Sequence, residues 1–87
     1  MDGSEKAEYL ALIAKKDPQI QHLVEEGFEF VTNAFKPGFV PPGIKAREDR
    51  EIARRLTQDG YQVELSTAYD EQGTPRPTMS AIWRKKG

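Results

Sequence analysis

Apolar positions along the chain change period several times, and each change marks an element. From Ser4, a suitable N-cap, the spacing predicts a first helix with two apolar stripes: Ala7, Leu10, Ala11 and Ala14 on one, Tyr9, Leu12 and Ile13 on the other. A helix apolar on two sides wants contacts on two sides. A sheet and a second helix would supply them, or one stripe could dock on a partner or a second copy. Asp17-Pro18 opens the second helix, with aspartate as the cap and proline where no N–H is needed. Ile20, Leu23 and Val24 form its inner stripe, and Gly27 can end it with positive φ. Phe28-Glu29-Phe30-Val31-Thr32 is aromatic and β-branched, as a strand requires. A continued helix is the rival, because Phe28, Val31 and Phe35 extend the preceding stripe. The segment Leu23 to Phe30 resembles Leu56 to Val63, where a helix–glycine–strand junction is plain, and this favours the strand.

Residues 36–44, with three prolines and two glycines, are expected to be an irregular loop that carries Phe39 and Val40. A helix is predicted from about Lys45 to Asp59, its inner side marked by Ala46, Asp49, Ile52, Ala53 and Leu56. Gly60 closes it. Tyr61, Val63, Leu65, Thr67 and Tyr69 then alternate with Gln62, Glu64, Ser66, Ala68 and Asp70, the period of a strand packed on one face and wet on the other. Asp70-Glu71-Gln72-Gly73 suits a hairpin turn. The returning strand, about Thr78 to Lys85, puts Met79, Ala81 and Trp83 on the packed face and Ile82 on the other. The expected fold is a single small α+β domain over residues 1–87. Its order is α-α-β-α-β-β, with a three-stranded, mainly antiparallel sheet and the helices packed on one face. The sheet order 1-3-2 makes every pair antiparallel. Pro75 and Pro77 argue instead for the last strand as an edge.

Composition narrows the chemistry. The 87 residues include no cysteine and one histidine, His22, which removes disulfides, thiolate metal sites, cysteine nucleophiles and multi-histidine metal centres. No apolar run approaches the roughly 18 residues of a membrane span, and no secretory signal is evident, so a cytoplasmic protein with no membrane partner is expected. Net charge is −1, but residues 1–35 carry seven acids against three lysines while residues 36–87 carry ten bases against seven acids. That imbalance is too small to make nucleic acid the default partner.

No constellation of a catalytic site is visible. Ser4, Ser66 and Ser80 lack a local activating base, His22 is a lone helix histidine, and Glu25-Glu26 and Asp70-Glu71 sit where helix ends and turns normally carry charge. No phosphate-binding glycine loop occurs, so neither enzyme activity nor a cofactor is expected. Gly27-Phe28-Glu29-Phe30-Val31 resembles the core of the RNP1 signature of RNA-recognition motif domains, which implies base stacking by Phe28 or Phe30. The likeness spans five residues, and it departs at Glu26, where a base is usual, and at Asn33, where an aromatic is usual. Arg47, Arg50, Arg54, Arg84 and Lys85 could add phosphate contacts, although Glu48, Asp49 and Glu51 are interleaved among the arginines.

The favoured reading is a small non-enzymatic protein-binding module: an adaptor, regulator or inhibitor acting by surface occupancy. Its contacts would come from the Phe39–Val40 loop and from an outer sheet face bearing Val31, Phe35, Ile82 and Arg84. Phe39 could equally plug an open end of the core. Self-association through the helix around Leu10 and Ile13 is a further expectation. An RNA- or single-strand-binding domain is the alternative, and a minor structural subunit of a larger assembly is the second.

Overall fold

The computed structural model describes residues 3–87. Helix α1 spans Gly3–Lys16, α2 Pro18–Glu25 and α3 Asp49–Gln58; strands β1, β2 and β3 span Glu29–Phe35, Tyr61–Tyr69 and Pro75–Lys86. The element order is α-α-β-α-β-β and the sheet order is β1-β3-β2, antiparallel throughout. The returning strand is therefore central. Its prolines are compatible with that place because β1 pairs with Met79 to Arg84 and the Lys36 N–H reaches only to the Thr78 carbonyl, so Pro75 and Pro77 lie beyond the end of that ladder.

Local chemistry explains the boundaries. Asp17 Oδ1 accepts the Gln19 N–H at 2.9 Å and Pro18 opens α2, which keeps α1 and α2 as two helices. Gly27 and Gly60 adopt φ of 91° and 93°, a region other residues enter at a cost, and each turns a helix into a strand. The rival helix through Phe35 does not form. Ser4 lies inside α1 rather than before it, since the helix already includes Gly3. The third helix begins later than expected, at Asp49, because Glu48 is extended and forms a parallel bridge with Phe35.

The expected single helical layer is corrected: both sheet faces are covered. On one face Ile13, Ile20 and Leu23 of α1 and α2 pack on Ala68, Tyr69, Ala81 and Trp83. Trp83 is fully buried and its Nε1–H donates to Ser66 Oγ at 2.9 Å. On the other face Leu56 and Ile52 of α3 pack on Ile82, Ala34, Val31, Tyr61 and Val63. The alternation of Ile82 against Ala81 and Trp83 is therefore read correctly, but its apolar residue marks a second core rather than an outer face. In β2, Ser66 and Ala68 are buried while Leu65 and Thr67 are exposed. Among the described residues no helix is long and apolar enough to cross a membrane.

Candidate functional site

The expected outer-face patch does not exist as a surface. Ile82 is 0% exposed beneath Leu56, and Val31 packs against the same cluster. Phe35 pairs with Met79, which shares its face with Ala81 and Trp83, so Phe35 lies on the opposite side of the sheet from Ile82. Arg84 is on Ile82's side, with its guanidinium 4.8 Å from the Tyr61 ring centre and Nε 3.6 Å from Glu29 Oε1. The sequence could not reveal this cover, because α3 reaches Ile82 only through the tertiary fold.

The Phe39 loop is an exposed feature. Phe39 is 53% exposed and Ile44, at the far end of the same loop, 54%. Phe39 is thus not a core plug. Val40 is half-buried. The loop is held in shape by turns in which the Phe39 N–H donates to the Lys36 carbonyl (3.0 Å) and the Ile44 N–H to the Pro41 carbonyl (3.3 Å). Glu48 Oε2 accepts the Gly38 N–H at 3.0 Å and ties the loop to the start of α3.

The residues of the nucleic-acid alternative are split. Phe28 and Phe30 belong to the first core, and Phe30 meets Trp83 edge-on at 5.4 Å and Tyr9 at 6.0 Å. Both are half-buried, and neither stands clear of the core as a stacking platform on the face of the arginines. Lys85 lies near the Phe28 ring, 5.8 Å from its centre, on the α1–α2 side. Arg47, Arg50 and Arg54 are exposed on the α3 side, Arg50 beside Glu48 at 3.5 Å. The sheet separates the two groups.

A cleft not anticipated from the sequence, about 700 Å³ in volume, lies between α1, β1 and the β2–β3 turn. Tyr9, Asn33 and Tyr69 line it. The Tyr9 hydroxyl donates to the Tyr69 carbonyl at 2.7 Å, and Asn33 Nδ2 approaches that carbonyl at 3.4 Å. Asn33 Oδ1 is the one buried side-chain oxygen among the described residues with no partner. Lys6 and Arg76 stand at the rim with Glu71 and Asp70. Asp70 is engaged in its own turn, accepting the Gln72 and Thr74 N–H groups at 2.9 Å each. The Tyr69 phenol points away to donate to Asp17 Oδ2 at 2.9 Å. Burial, that hydrogen bond and the Asp17 charge hold the phenol above the usual tyrosine range.

His22 is exposed on α2, its Nε2 3.3 Å from Glu26 Oε1. Among the described residues no group of acidic or histidine side chains could hold a metal ion. Leu10 lines a shallow apolar groove between α1 and Phe28, whereas Ile13 is wholly buried and cannot contribute to the self-association expected of it. Compared with known protein families, curated proteins and solved structures, the chain matches none.

Proposed function

We propose that this protein is a small non-enzymatic protein-binding module, an adaptor, regulator or inhibitor that acts by occupying a partner's surface. The observation that carries this reading is the Phe39–Ile44 loop. It holds two large apolar side chains more than half exposed on a backbone fixed by prolines, turns and the Glu48 tether. An ordered loop loses little conformational entropy on binding, and exposed aromatic anchors are what interface centres use. With the outer sheet face withdrawn, Phe39 and Val40 are the sequence-derived contact residues that remain, and Ile44 joins them. The test compares wild-type protein with a Phe39→Ala/Ile44→Ser double variant as bait in extracts of the source cells, read by mass spectrometry. A polypeptide partner retained by wild type and reduced at least tenfold by the variant is the expected result. Identical partners on both baits would refute the loop as the contact surface, and nucleic acid alone on both would refute the module.

A further inference from the structure

The sheet has two outer edges, and they are not equally protected. The Lys36 N–H donates to the Thr78 carbonyl at 2.9 Å, so backbone groups of Lys36, Ala34 and Thr32 point inward to β3 and those of Phe35 and Asn33 point outward. Phe30 also faces outward, because it pairs with Trp83, whose own backbone groups are directed to β2. Phe35 is used by the bridge to Glu48. Upstream of that bridge β1's outer edge is open. The Asn33 N–H is directed away from β3 by this register, and its carbonyl takes the neighbouring Thr32 hydroxyl at 3.1 Å. On β2 the corresponding outward carbonyl at mid-strand, that of Leu65, is occupied by Gln19 Nε2 of α2 at 3.2 Å.

The 700 Å³ cleft lies along this open edge. Among its lining residues Phe30 and Asn33 pair with Trp83 and Ala81 on one face of the sheet and Thr32 pairs with Ile82 on the other, so the cleft reaches the edge of β1. Tyr9 and Phe30 give it an apolar wall, and the rim charges of Lys6 and Arg76 are opposed by Asp70 and Glu71.

We propose that β1's outer edge accepts an extended segment of a partner polypeptide, which adds as a short fourth strand at Phe30 and Asn33 and seats one uncharged side chain in the groove against Tyr9. Unpaired, outward N–H and C=O groups are complementary to extended backbone. A second copy fits poorly. The open run, residues 29–34, offers an edge about 20 Å long and about 10 Å thick, on the order of 200 Å² per copy. Two folded copies meeting at this edge would fall far short of the roughly 800 Å² that a stable dimer takes from each partner, whereas a flexible segment adds the surface of the groove to that of the edge. The copy's own β1 aromatic on the groove side, Phe30, is already packed on Trp83 and Tyr9, so it has nothing left to fill the groove. The bulge between Phe30 and Thr32 also limits pairing to a short segment.

The inference rests on the protein-binding reading but uses different residues, so the two can fail separately. The probe is a phage-displayed library of unconstrained twelve-residue peptides selected on the full chain, followed by amide exchange with the best peptide. Slowed exchange at Phe30 and Asn33 is expected, with little change when salt is raised. Asn33→Pro removes the outward N–H and should weaken the peptide at least tenfold, while Phe39→Ala leaves it bound. Since proline could disturb the strand, the exchange pattern of the unaltered protein stands as an independent readout. Recovery of no peptide, protection at β2 or α3 instead, or unaltered binding by a folded Asn33→Pro variant would each overturn the proposal. So would a dimer that protects Asn33 without peptide, which would assign the edge to a second copy.

Discussion

Ile82 and Trp83 are neighbours in sequence and occupy different cores, one under Leu56 and the other under Ile13, Ile20 and Leu23. A polar substitution at Ile82 therefore tests stability rather than binding. Ile82→Ser should cost about 3 kcal/mol or more, from the cavity and the buried hydroxyl together, read as a lower urea midpoint. Tyr69 gives a pH signature. Its phenol is held above the ordinary value of about 10, so the native state keeps a proton that the unfolded chain releases as pH rises past that value. The associated stability is complete below the unfolded pKa and declines as pH climbs through the raised one. Tyr69→Phe should flatten that alkaline decline while lowering neutral stability by about 1 kcal/mol through loss of the Asp17 bond, a pair of trends that thermal melts across pH will show.

At the scale of elements, the two helix-to-strand junctions decide the architecture. A Cβ placed on Gly27 or Gly60 meets nothing within 4 Å, so substitution there is penalised only by the backbone conformation. Gly27→Ala and Gly60→Ala should each cost about 1–2 kcal/mol in denaturant unfolding, with asparagine in place of alanine recovering part of it. A loss far above that range would mean that the glycines serve close packing instead. These junctions were legible in the sequence because φ preference is a local property. The late start of α3 was not, since the bridge between Glu48 and Phe35 joins residues thirteen apart and competes with the helix for residues 45–48.

For the molecule as a whole, the sheet's two covered faces distribute the charged groups. The arginines at 47, 50 and 54 and the lysine at 85 lie on opposite sides of the sheet, and Phe28 and Phe30 are half-buried against the α1–α2 core, away from the arginines. A mobility shift with single-stranded oligonucleotides at low salt should therefore show no retardation, and a retarded band lost on Arg47→Glu/Arg54→Glu would restore the nucleic-acid alternative. The sequence by itself determined the elements and their order, because caps, prolines, glycines and apolar period act over a few residues; it read the alternation of β3 correctly but not that of β2, where Ser66 and Ala68 are buried and Leu65 and Thr67 exposed. It also marked Phe39 as a notable side chain in a constrained loop. Only the tertiary structure decided which apolar residues remain exposed. The placing of α3 on the face opposite α1 and α2 turned a supposed contact patch at Ile82 into core, left Phe39 and Ile44 outside, and brought Tyr9, Asn33 and Tyr69, far apart along the chain, around one cleft beside an unpaired strand edge. Exposure depends on what other segments cover, and no local pattern of residues encodes that.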